Sequence, residues 1–151
     1  MVRVAKRKSS SRGRYMSAPD KAMWVDRCIL ISGLHIAMCV TEKQFRKELK
    51  RLGITQEPAW PEIGMAVTYT CKSTAGKSCC FVCMNKEEQD RNWVVSGLVH
   101  ESVHVFQRSM ETLEESDPGE EIEAYAIQNI FINLSDAYNK LCAVNAKPGG
   151  E

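Results

Sequence analysis

The stretch His100-Glu101-Ser102-Val103-His104 places two imidazoles four residues apart, with a carboxylate beside the first. On a helix, residues i and i+4 project from one face about one turn apart, so both rings can reach a single metal ion. Glu101 falls on the flank of that face, where it can touch a metal-bound water without being a ligand. That is the position of a general base. The chain has three histidines, and two of them fall into this pattern, which raises metal binding above the alternative of two polar residues on an amphipathic surface. The metal expected is Zn2+, and the chemistry is activation of water for hydrolysis.

The motif needs a helix, and its surroundings allow one. From Asn92 to Met110 the apolar residues Trp93, Val94, Leu98, Val99, Val103, Val105 and Phe106 recur at three- and four-residue steps with no proline among them. Gly97 is the weak point, costing about 1 kcal/mol relative to alanine, although a small residue there lets a neighbour approach closely. A catalytic zinc keeps three protein ligands and an open position. A third histidine six residues after His104 is ruled out, because that position is Met110. His35 lies far upstream and reads as a partly buried or strand-edge histidine. A downstream carboxylate remains, and Glu120, Glu121 and Glu123 open what reads as a second helix, with Asp117 as its N-cap and Pro118 at its first position.

His-Glu-x-x-His followed by Glu121, two residues and Ala124 resembles the gluzincin branch of the zincin metallopeptidases. The resemblance implies that Glu121 is the third zinc ligand and that Ala124 lets two helices pack closely. Glu123, roughly 200° around the helix from Glu121, is then expected to face away. Tyr125 stands where such proteins often carry Asp or Asn, and its reading is a core anchor for the helix or a hydrogen-bond donor at the site. Gln107 and Gln128 are placed to buttress ligands through their amides or to lie exposed. The wider strings His100 to Gln107 and Glu121 to Gln128 are also similar to small metallopeptidase-like proteins of tailed bacteriophages and prophages. More distantly, they are similar to the peptidases that cleave phage repressors. The resemblance covers residues 93 to 138. It implies a compact α+β zincin-like domain with an active-site helix, a second ligand helix and a small antiparallel sheet. The implied activity is zinc-dependent peptide-bond hydrolysis, and the implied partner is a peptide or protein substrate. The alternative is a virion or assembly component, of neck or tail, that keeps the fold and binds other phage structural proteins.

Length and composition agree with one small domain: 151 residues with 44% hydrophobic content can bury a single core, and a net charge of +1 does not mark a nucleic-acid binder. Residues 1–18 read as a disordered basic arm, with Arg3, Lys6, Arg7, Lys8, Arg12 and Arg14 giving at most weak contact with nucleic acid or an acidic surface. Residues 19–145 make the domain and 146–151 a flexible tail. No secretory signal and no stretch of membrane-spanning length is legible, so no membrane partner is expected. An odd count of seven cysteines does not read as a secreted disulfide framework. These features point to the cytoplasm, for a phage protein that of the bacterial host, or to a virion assembled there.

The middle of the chain supplies the scaffold. Trp24 to Val40 contains two short apolar runs, Cys28 to Ile31 and Leu34 to Val40, which read as strands or as a helix followed by a strand. Thr41-Glu42-Lys43-Gln44 is a capping box opening a helix through Leu52 that Gly53 stops. Met65 to Cys71 and Cys79 to Met84 predict a hairpin around Ser73-Thr74-Ala75-Gly76. Two motifs are rejected. Gly76-Lys77-Ser78 lacks the first glycine of a phosphate loop and precedes a strand rather than a helix. Cys80 and Cys83 have zinc or redox spacing, but no second pair lies at a zinc-finger distance, so they read as strand cysteines.

Overall fold

The computed structural model describes residues 20–87 and 90–143. The basic arm expected at 1–18 and the tail expected at 146–151 lie outside the described residues. The chain runs through β1 (Met23–Trp24), a 3-10 turn (Asp26–Cys28), β2 (His35–Cys39), α1 (Glu42–Arg51), β3 (Ala66–Lys72), β4 (Ser78–Met84), α2 (Arg91–Leu113) and α3 (Glu120–Ala143). It is a mixed α+β fold.

The four strands form one sheet in the order β1-β2-β4-β3, and it is mixed, not antiparallel as expected. β3 and β4 form the expected hairpin, and β1 pairs antiparallel with β2. β2 and β4, however, run parallel, with His35 opposite Cys79 and Cys39 opposite Cys83. The physical reason is visible in the two strands themselves. Ile36 to Cys39 and Cys79 to Met84 are buried on both faces, which is the position of central strands covered on either side, where parallel pairing is favoured. The run Cys28 to Ile31 is neither strand nor helix beyond its first residue. It belongs to the connection into β2, which Asn133 and Asn129 of α3 hold by bonds to the Cys28 carbonyl and from the Leu30 amide.

Period-two alternation divides the core between the two faces of the sheet. Ile36, Met38, Cys80, Val82 and Met84 pack against α2 and α3, while Ala37, Cys39, Cys79, Phe81 and Cys83 pack against Phe45 and Leu49 of α1. Each fully buried Ile, Leu or Phe contributes roughly 1.5–3 kcal/mol relative to an exposed position. α1 opens on the expected capping box: the Gln44 amide donates to Thr41 Oγ1, and Gln44 Oε1 accepts from the amides of Thr41 and Val40 at 3.2 and 2.8 Å.

α2 is capped by Asp90, whose carboxylate accepts from the amides of Asn92 and Trp93. It ends at Glu114, in the left-handed region at φ 56°. Gly97 does mark a close approach, made by side chains of the hairpin: a Cβ there would lie 2.7 Å from Met84 Cε and 3.3 Å from Ala66 Cβ. α3 begins later than the expected Asp117 cap. Gly119, at φ 75°, departs from helical geometry, and the first helical bond runs from the Glu123 amide to the Gly119 carbonyl. Asp117 is too far upstream to cap it.

Candidate functional site

His100 and His104 lie on the outward face of α2, and their Nε2 atoms stand 3.0 Å apart. Two nitrogens bound to one tetrahedral zinc are roughly 3.4 Å apart, given bonds of about 2.0–2.1 Å. The pair therefore fits two corners of such a site with little movement. Without a metal, the same separation is a hydrogen bond between one protonated and one free ring nitrogen. Gln107, which the sequence left open between a buttress and an exposed position, is exposed and also reaches the site: its Oε1 accepts from His104 Nδ1 at 3.2 Å. A proton fixed on Nδ1 leaves Nε2 with its lone pair free, the form a metal ligand needs.

Glu101 turns from the histidine face towards the edge of the sheet. It is 2% exposed, and its Oε2 accepts from Thr68 Oγ1 at 2.6 Å. Thr68 sits on β3, the edge strand, and points to the helix-facing side because it lies opposite Val82. His100, Glu101, His104 and Arg108 together with Ala66, Val67 and Thr68 line an open cleft of about 320 Å³ between α2 and β3. Arg108 stands one turn beyond His104, its guanidinium held by both carboxylate oxygens of Glu111 at 2.7 and 2.8 Å.

The third expected ligand is not brought to this cleft. Glu121 is exposed on the second residue of α3, and no three His, Cys, Asp or Glu side chains gather closely enough to hold a metal among the described residues. Helix phase explains its orientation. Ala126, Ile130, Leu134, Ala137 and Leu141 form the buried stripe of α3. Glu121 precedes Ile130 by nine residues, an advance of about 900° that leaves it on the opposite side. Glu123 precedes Ile130 by seven, about two whole turns, which gives it the phase of the buried stripe, but its side chain is exposed, because the stripe begins only at Ala126.

Tyr125, at 60% exposure, is not the core anchor that its type suggested; Tyr138, at 6%, fills that role one face further round. Gln128 is exposed. His35 is removed from contention as a ligand, because it shares the sheet face of Ala37 and Cys39, opposite the face covered by α2. Cys80 and Cys83 fall on opposite faces of β4 and cannot chelate one ion, and Gly76-Lys77-Ser78 leads into that strand, as expected.

Thr68 is the site residue that sequence reading missed. Its only signal was a threonine on a strand predicted beside the helix, which gives no partner. Arg108 was more legible, since it repeats the His100, His104 spacing once more. No protein-family model, curated protein or solved structure matches the chain. Among the described residues no helix is long and apolar enough to cross a membrane.

Proposed function

We propose that the chain is a zinc-dependent peptide hydrolase of zincin-like design, encoded by a phage and working in the host cytoplasm or in the particle. The observation that carries this reading is the 3.0 Å convergence of His100 and His104 Nε2 in the same cleft as the Glu101 carboxylate. His100 and His104 would hold the ion, with a carboxylate of the first turn of α3 as third donor: Glu121 on the resemblance, Glu123 on the helix phase. Zinc supplies Lewis acidity, which activates water near neutral pH and polarises a peptide carbonyl.

The chain's own residues do the rest. Gln107 fixes the His104 tautomer. Thr68 engages one oxygen of Glu101 and holds the carboxylate against the cleft, leaving the other oxygen to take a proton from the attacking water and return it to the departing amine. The open face between β3 and α2 admits an extended segment of substrate.

The test is paired. Purified protein is expected to carry about one zinc per chain, lost in His100→Ala and His104→Ala. Glu101→Gln is expected to keep the metal and lower peptide cleavage by roughly 100-fold or more. A protein that takes up no zinc on reconstitution overturns the proposal.

A second reading, a virion or assembly subunit that keeps the fold, is favoured by the exposed apolar side chains of the two long helices. Trp93, Val95 and Val99 on α2 and Ile122, Tyr125 and Ile132 on α3 are each more than 40% exposed, an arrangement suited to contact with other proteins. Normal phage yield with Glu101→Gln, together with defective particles when the whole gene is deleted, decides for this reading and against the hydrolase.

A further inference from the structure

A second cavity lies away from the histidine cleft, on the sheet face covered by α1. It measures about 420 Å³ and is lined by Trp24, Asp26, Arg27, His35, Arg51, Leu52, Lys77 and Cys79. Its three cations come from three separate elements: Arg27 from the 3-10 turn, Arg51 from the last turn of α1, and Lys77 from the β3–β4 turn. The lining carries one carboxylate, Asp26, whose Oδ2 lies 3.4 Å from His35 Nδ1, and a second, Glu48, pairs with Arg51 from behind.

Arg51 is held in place. Its Nε donates to Glu48 at 2.6 Å, and its guanidinium lies 5.6 Å from the centre of the Trp24 ring. That bond leaves its two terminal NH2 groups without a partner among the described residues, and the same is true of the Arg27 and Lys77 side chains. Cys79 lies on the floor between them. Burial raises the pKa of the Cys79 thiol, and Arg51 and Lys77 oppose that shift while Asp26 adds to it.

We propose that this cavity binds a small phosphomonoester, its phosphate held by Arg27, Arg51 and Lys77 and its organic body resting on Trp24, Leu52 and Cys79. With Arg51 already paired to Glu48, Arg27 and Lys77 bring two further cations that no carboxylate bonds among the described residues, and together the three suit a phosphate better than a single carboxylate. Guanidinium forks match phosphate oxygens in geometry, and a guanidinium already oriented loses little freedom on binding. The size also selects an organic phosphate over a bare ion, because cavities above about 300 Å³ are those that enclose small organic ligands. The site lies across the sheet from His100 and His104 and does not depend on the hydrolase reading.

The full chain is titrated with phenyl phosphate, with inorganic phosphate and with phenol, following tryptophan fluorescence, the indole resonance of Trp24 and the amide resonances of Trp24 and Lys77. Phenyl phosphate is expected to bind at least tenfold more tightly than inorganic phosphate, and phenol not at all. Arg27→Ala with Lys77→Ala is expected to weaken phenyl phosphate at least tenfold. Both side chains are exposed, so the fold is retained. Lys77→Glu alone is expected to do the same, and Lys72→Ala, a lysine outside the cavity, to leave affinity unchanged. Equal affinity for phenyl phosphate in the wild type and the double variant, an equal loss in Lys72→Ala, or equal binding of the two phosphates overturns the proposal.

Discussion

The middle of α2 and the first turn of α3 were both expected to supply metal ligands, and the structure treats them differently. His100 and His104 converge because the spacing of four residues alone sets their relation once the backbone is helical. Glu121 had to be aimed by something outside its own segment. Its direction is set by which side chains of α3 the core accepts, and Ala126 and Ile130 turn it outwards. Its level along the bundle is set by the connection from Glu114 to Gly119. His104 lies nine residues, roughly 13 Å of helix, before the end of α2, whereas Glu121 follows directly on the start of α3. A motif within one helix carries its own geometry, and a motif shared between two helices borrows it from packing.

The strongest way to break this contrast is to damage the packing and leave the motif alone. Ile130→Ala is expected to cost about 2–5 kcal/mol by leaving a cavity in the α2, α3 and sheet core, measured by urea denaturation. The local pair should survive wherever α2 stays folded, so residual zinc binding in the folded fraction is the expected outcome. Complete loss of binding by protein that is still folded would show that the pair also depends on α3.

Next in size, His104→Ala is expected to lower zinc affinity more than about 100-fold, beyond the 10- to 100-fold typical of a residue that only supports a ligand. Metal titration against a chromophoric chelator reads this directly. A smaller effect would place the histidines in a support role and remove the local half of the contrast.

The two carboxylates of α3 sharpen it. If helix phase in the folded state decides, Glu123→Gln weakens zinc by roughly tenfold while Glu121→Gln changes little. If the resemblance decides, the order reverses, and the start of α3 must rotate when metal binds. Both variants keep side-chain size, so circular dichroism should not change.

The smallest effect is expected at Gln107→Ala, which frees the His104 ring and costs no more than about tenfold in zinc affinity. The nitrogen resonances of His104 should then show both tautomers. A single unchanged tautomer would mean that the ring is fixed by something other than the amide.

How much the sequence disclosed follows the same division. The capping box at Thr41, the β3–β4 hairpin and the two long helices were legible, because each is decided within about ten residues. The parallel pairing of β2 with β4 was not legible, because apolar runs such as Ile36 to Cys39 state that a strand is buried without naming its neighbour. The buried contact of Glu101 with Thr68 joins residues 33 positions apart, and no periodicity in either segment announces it. Tyr125 and Tyr138 show the limit for side-chain type: both are tyrosines on one helix, and only the phase of the buried stripe separates the surface residue from the anchor.

The parallel β2–β4 pair also sets a time order for folding. It joins residues 44 positions apart, as in His35 with Cys79, whereas the β3–β4 and α2–α3 hairpins each close through a short connection. Loop-closure entropy makes the long-range pairing the slow event and lets the two hairpins form first. The histidine pair on α2 can therefore exist in the chain before the central strands have joined. The cavity of Arg27, Arg51 and Lys77 cannot, because His35 and Cys79 lie on its floor and come together only when that last pairing closes.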